Sequence, residues 1–150
     1  MNKPIIIVGP DCTGKSTLAN LLSTNLSRPL KKGTYNIRKK EEWSLRSLKV
    51  KDVILDRIPL IDEIVYSRAM DQFSTISITE KHLQLLRDSV IIYLNLSTKT
   101  IVDRIHDRGD LFLEQSGINI EKFIERLKLE YYTFFKNYNL KPIVLGGKDE

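Results

Sequence analysis

The sequence predicts an α/β domain with a mainly parallel sheet and helices on both faces. Three observations predict it. Short all-apolar runs recur along the chain, Ile5-Ile6-Ile7-Val8, Val53-Ile54-Leu55 and Val90-Ile91-Ile92-Tyr93-Leu94; strands buried on both faces of a parallel sheet read this way. Segments with apolar residues at helical spacing lie between them. Residues 9–16 read GPDCTGKS, a glycine-rich turn placed where a strand hands over to a helix.

The elements follow in order. Residues 4–8 form the opening strand and residues 9–14 a loop. A helix runs from Lys15 to about residue 26, with Leu18, Leu21, Leu22 and Leu26 at helical spacing. A second strand is expected at residues 33–37 and a short helix at 41–48. Residues 52–56 are the third strand. Pro59 suits the first turn of a helix reaching about Met70. Thr79 is an N-cap for a helix to about Asp88. Residues 90–95 are a further strand, after which Ser97 or Thr98 caps a helix to about Asp107. Residues 108–117 read as a charged loop. Residues 118–138 carry Phe123, Ile124, Leu127, Tyr131, Phe134 and Phe135 on one helical face, and residues 142–145 are the last strand. No repeat or Gly/Ser linker divides the chain, so residues 1–150 are expected to form one domain.

Composition narrows the function classes. At 150 residues and 41% hydrophobic, with a net charge of only +5, the chain is not a disordered segment. Its single cysteine, Cys12, excludes a disulfide scaffold. No apolar run approaches the ~20 residues of a membrane span, and the N-terminal stretch lacks the ~7–15-residue apolar core of a signal peptide. A soluble, cytoplasmic protein without a membrane partner is the expectation. The positive charge is concentrated: nine basic residues lie between Arg28 and Lys51, against Glu41 and Glu42 alone. Such a stretch serves a polynucleotide, or a small phosphorylated substrate, or is simply a solvated face.

The motif of residues 9–16 satisfies G-x-x-x-x-G-K-[ST] in full. Its glycines let backbone amides turn toward phosphate oxygens, and the following helix adds the positive end of its dipole. Gly9, Asp11, Cys12, Thr13, Gly14, Lys15, Ser16 and Thr17 are therefore the expected nucleotide-binding residues. Lys15 reaches β- and γ-phosphates and the Ser16 hydroxyl ligates Mg²⁺; Thr17 is a donor to a further oxygen. Cys12 is read as a small loop residue rather than a redox group. A phosphate-loop enzyme needs a carboxylate near its metal. Asp56 ends an apolar strand and fills that role, with capping of the next helix as its structural alternative; Arg57 is its neighbour. Arg104 and Arg108 are four apart, hence on one helical face. Paired guanidiniums clamp phosphates and stabilise charge on a transferring phosphoryl group. Asp103, Asp107 and Asp110 allow the plainer reading of surface ion pairs.

Taken together, GPDCTGKST, then ILDR at a strand end, then YLNLSTKTIVDRIHDRGD, then a long helix with LEYYTFF, resemble the thymidylate kinase and deoxynucleoside kinase branch of P-loop kinases. The resemblance implies a three-layer P-loop NTPase fold with five strands, and phosphoryl transfer from ATP with Mg²⁺. It implies that Lys15 and Ser16 take the triphosphate and metal. Asp11 matches a carboxylate that in thymidylate kinases binds the acceptor sugar's hydroxyl. Asp56 and Arg57 match an Asp-Arg pair beside the acceptor phosphate and metal. Arg104 and Arg108 match the arginines of a short lid, about residues 104–117. Homodimers are common in the family. Three departures stand out: Ile58 replaces the usual aromatic after the Asp-Arg pair, Ile61 replaces a serine, and the chain is short on the acceptor side. Trp43, Arg46, Tyr66, Arg68 and Phe73 remain for base stacking and phosphate contacts, with Tyr66 and Phe73 expected in the core.

The leading reading is phosphoryl transfer from ATP to a (deoxy)nucleoside monophosphate. That acceptor is already anionic and needs positioning rather than a base. The alternative is a hydroxyl kinase acting on a nucleoside, a polynucleotide or a modified base in DNA. It needs a carboxylate base, for which Asp11 and Asp56 are the candidates. A non-catalytic nucleotide switch or subunit is the third reading.

Overall fold

Two clusters of side chains fix which way the sheet faces. Ile6, Val8 and Leu55 point into a large core, while Ile7 and Ile54 point into a smaller one, the two-residue period of a strand. The computed structural model describes residues 2–34, 37–109, 117 and 119–146. Their strands are β1 (Ile5–Val8), β2 (Leu30–Lys32), β3 (Ile54–Asp56), β4 (Val90–Leu94) and β5 (Ile143–Leu145). The helices are α1 (Lys15–Leu26), α2 (Lys40–Leu48), α3 (Pro59–Ala69), α4 (Glu80–Arg87), α5 (Thr98–Arg108) and α6 (Ile120–Asn137).

The sheet is five-stranded and wholly parallel, in the order β2-β3-β1-β4-β5. Ile7 pairs with Asp56, so the chain leaves β1 and β3 side by side. In an open parallel sheet that edge is where ligands bind.

The expected helices are present on both faces, but unequally. Ala19, Leu18 and Leu22 of α1 cover the smaller core. The other helices all feed the larger one, through Leu48, Leu60, Leu86, Ile101 and Phe134 among others. Leu21 and Leu26, which share the helical spacing of α1, lie outside at 56% and 46% exposure. One short helix cannot turn four leucines toward a surface that narrow.

The second strand is displaced from its expected position: it is Leu30–Lys32, not 33–37. Leu30 pairs with Ile54 and Lys32 with Asp56. The strand is an edge with two exposed lysines, so no apolar run announces it. Gly33 ends it. A Cβ there would stand 2.7 Å from the Arg57 carbonyl and 2.9 Å from the Pro59 ring, so only glycine passes. Residues 35 and 36 of the expected strand lie outside the described residues. The remaining boundaries agree to within a few residues, and the α6 start expected at residue 118 also lies outside them.

Capping follows local chemistry. The Thr79 hydroxyl accepts from the His82 amide, and His82 Nδ1 accepts from the Thr79 amide. Ser97 and Asn119 cap α5 and α6. Asp56 does not cap α3: Ile58 holds the N-cap position, the Leu60 amide donates to the Ser44 hydroxyl, and the Asp56 carboxylate is turned to Ser16.

Helix α6 is the main strut of the larger core. Phe134 is fully buried on it and packs edge-on against Phe135 and Tyr138. Phe134→Ala is expected to lower unfolding free energy by about 3–5 kcal/mol, read as a shift in the urea midpoint at unchanged slope.

Candidate phosphate-binding site

A cleft of about 480 Å³ opens at the carboxyl ends of β1, β2 and β3. Residues 11–17 form one wall, joined by Lys32, Gly33, Thr34, Asp56, Arg57 and Arg108. The sheet register accounts for the assembly: Asp56 stands opposite both Ile7 and Lys32.

The turn after β1 is held by its own polar atoms. Thr13, buried, donates its hydroxyl to the Pro10 carbonyl at 2.9 Å. Lys15 is the first residue of α1 and its ammonium folds back under the turn. It donates to the Gly9 carbonyl at 2.9 Å and the Pro10 carbonyl at 2.6 Å. Gly9 runs so close to β4 that a Cβ would meet the Leu94 carbonyl at 2.8 Å. Burial and then the neighbouring Arg57 lower the Lys15 ammonium, Asp11, Asp62 and Asp56 pull part of the shift back, and the result is about 8.

Asp56 accepts the Ser16 hydroxyl at 2.6 Å. The two oxygens expected to share a metal thus adjoin. Magnesium keeps several waters and takes one or two protein oxygens beside the phosphates, so this donor pair fits it. Among the described residues no cluster of three or more His, Cys, Asp or Glu offers a larger cation cage.

Arg57 forms an ion pair with Asp11 across the cleft and lies 6.0 Å above the Tyr66 ring. Its backbone is left-handed, φ 72°, while its amide still donates to the Ile7 carbonyl at 3.0 Å. Cys12 is also left-handed, at φ 62°. Non-glycine residues in this region carry strain and gather at functional sites.

Arg104 and Arg108 share one helical face, as their spacing predicts. Arg104 lies within α5 as the helical spacing predicts, whereas Arg108, expected to open the charged loop and lid, is the last residue of the helix, which Gly109 ends. They converge on Cys12. Arg104 donates to its carbonyl at 3.2 Å, and Arg108 lies 3.7 Å from its sulfur. Arg108 lines the cleft and Arg104 does not. Residues 110–116 of the expected lid, Asp110 included, lie outside the described residues. Phe73, expected in the core, is fully exposed, whereas Tyr66 is buried.

Three residues of the site belong to no motif of the sequence. Lys32 and Thr34 line the cleft; Lys32 was hidden in the basic stretch. Asp62 is buried beside Tyr131, whose hydroxyl lies 2.6 Å from its carboxylate and 3.2 Å from the Gly9 carbonyl. Asp62 and Glu63 stand together between Ile61 and Ile64, and only Asp62 of the two is buried.

No family model matches the chain. It is 32% identical over 132 residues to the SPbeta prophage-derived uncharacterized protein YorR of Bacillus subtilis (strain 168), spanning 81% of this chain and 77% of the relative. The chain belongs to the YorR family. The crystal structure of YorR in complex with phosphorylated GDP superposes with a TM-score of 0.71 at 27% identity, over 95% of this chain and 85% of that one. Deoxyadenosine kinase from M. mycoides with bound dCTP gives a TM-score of 0.59 at 23% identity, covering 97% and 89%. Thymidylate kinase from Candida albicans gives 0.60 at 18%, covering 98% and 85%. The fold is thus that of the P-loop nucleotide kinases, as the motifs implied. No helix among the described residues is long and apolar enough to cross a membrane.

The buried ammonium has a consequence for stability. A lysine lowered from 10.5 to about 8 on folding binds fewer protons in the native than in the unfolded state between those values. Stability therefore rises with pH across that window, and the penalty is full below about pH 8. Lys15→Met is expected to be more stable than the parent at neutral pH by on the order of 2 kcal/mol. The gain should vanish as pH climbs past about 10, which urea unfolding at two pH values checks.

Proposed function

We propose that this chain is a kinase that moves the γ-phosphoryl group of ATP to a nucleoside monophosphate. One observation carries the reading. Lys15, Lys32, Arg57 and Arg108 line the cleft, and its two carboxylates are both engaged, Asp11 with Arg57 and Asp56 with Ser16. Such a cleft suits two anionic substrates brought together. A hydroxyl acceptor asks for a carboxylate ready to take a proton, and both carboxylates here already hold partners. The phosphorylated GDP in YorR supports a nucleotide ligand.

The roles follow from position. Gly9, Cys12, Thr13, Gly14 and Thr17 form the turn and first helical residues that cradle the donor phosphates. Lys15 meets the β- and γ-phosphates, drawn back toward full protonation by their charge. Ser16 and Asp56 would hold Mg²⁺, which on binding supplies positive charge to the phosphate oxygens. Arg57, fixed by Asp11 and seated over Tyr66, orients the acceptor phosphate together with Lys32. Arg108, with Arg104 behind it on α5, neutralises charge on the group in flight. An oxygen of the acceptor phosphate attacks the γ-phosphorus, the bond to the bridging oxygen breaks, and ADP leaves beside the new diphosphate. The acceptor oxygen is already anionic before it attacks, so no residue has to remove a proton from it.

Transfer of label from γ-labelled ATP into three separate pools tests the proposal: nucleoside monophosphates, nucleosides, and DNA or RNA oligonucleotides. Label is expected in diphosphates. Label confined to nucleosides or oligonucleotides contradicts the monophosphate acceptor. Lys32→Ala should raise KM for the acceptor about tenfold and leave KM for ATP near its original value, as steady-state kinetics with each substrate varied will show.

A further inference from the structure

Helix α6 reaches the phosphate loop through one hydroxyl. Tyr131 is fully buried, and its Oη lies 3.2 Å from the Gly9 carbonyl and 2.6 Å from Asp62 Oδ1. The Gly9 carbonyl is one of the two that hold the Lys15 ammonium, at 2.9 Å. The other oxygen of Asp62 accepts the Ile58 amide at 3.0 Å, which ties the carboxylate to the start of α3. An unbroken run of hydrogen-bond contacts thus leads from α3 through α6 to the carbonyl that seats the phosphate-binding lysine.

We propose that Tyr131 and Asp62 are positioning residues for Lys15: Tyr131 holds the Gly9 carbonyl in place, and Asp62 orients the Tyr131 hydroxyl. The inference rests on the phosphate-loop reading above. A carbonyl oxygen has two acceptor sites, so Gly9 can take both the ammonium and the hydroxyl; the hydroxyl's single proton serves Gly9 when Asp62, whose carboxyl is raised by burial, is protonated and donates to Tyr131 in turn. A second partner on that carbonyl keeps the turn from following the ammonium when a phosphate draws the ammonium outward. The Tyr131 ring has packing of its own, stacked on Phe135 at 6.3 Å and tilted against Tyr93 at 5.3 Å between centroids. The hydroxyl can therefore be removed while the ring stays anchored.

Calorimetric titration of ATP with Mg²⁺ into the whole chain tests this without reference to the acceptor. Tyr131→Phe is expected to weaken ATP binding about tenfold. Asp62→Asn keeps an oxygen for the Ile58 amide and turns an amide donor to Tyr131, so its affinity should stay within about threefold of the parent. Asp62→Ala removes both contacts, should bind as weakly as Tyr131→Phe, and stands in for that variant if it does not fold. The decisive comparison is with Lys15→Ala. Because Tyr131 acts through Lys15, adding Tyr131→Phe to Lys15→Ala should cost little more. A full additional loss in that background would mark a purely structural role and overturn the proposal. So would parent-like affinity for Tyr131→Phe when Lys15→Ala binds weakly. If Lys15→Ala itself binds ATP like the parent, the phosphate-loop reading fails and the positioning role falls with it.

Discussion

Lys15 carries its charge into a nearly dry site, and the oxygens that receive it belong to the turn just before it. Much of the architecture serves that one constraint. An ammonium taken out of water needs close acceptors, and burial still lowers it to about 8. The turn must run close against β4 to place the Gly9 and Pro10 carbonyls beneath it, hence a glycine where a Cβ would strike the Leu94 backbone. The buried, under-solvated cation costs the fold stability and is ready for a phosphate.

Parallel pairing brings the rest to it. Because β1 sits between β3 and β4, the segment after β3 lies beside the phosphate loop, and the end of β2 follows one strand further out. Asp56, Arg57 and Lys32 thus share one cleft although they are far apart in sequence. The left-handed Arg57 lets its amide stay bonded to β1 while its side chain pairs with Asp11. Helices α5 and α6 close the assembly from the side, through the arginines at Cys12 and the hydroxyl at Gly9.

The features written in local pattern could be read without coordinates. The glycine-lysine motif, the three central strands, and Asp56-Arg57 at a strand end all rest on runs of adjacent residues. So does the pairing of Arg104 and Arg108 on one helical face, with the helix running one residue further than its pattern suggests, to Arg108. What escaped depends on distant neighbours. Edge strand β2 has no apolar run, since its lysines face solvent and its end is set by the backbone of Arg57. Tyr131 looked like one more core aromatic, because nothing within α6 shows that Gly9 and Asp62 stand at its hydroxyl. Phe73 looked like core because burial is decided by what packs above a residue, and here nothing does.

Lys15, its ammonium lowered to about 8, should take up protons when a phosphate binds beside it. Proton exchange on binding measures it most directly. ATP titrated calorimetrically at about pH 8.5, in two buffers of different ionisation enthalpy, reports protons taken up per nucleotide bound. A lysine at about 8 in the free protein, returned to its charged form by phosphate, predicts net uptake that falls away toward about pH 7. Binding with no proton uptake at the higher pH would contradict the account.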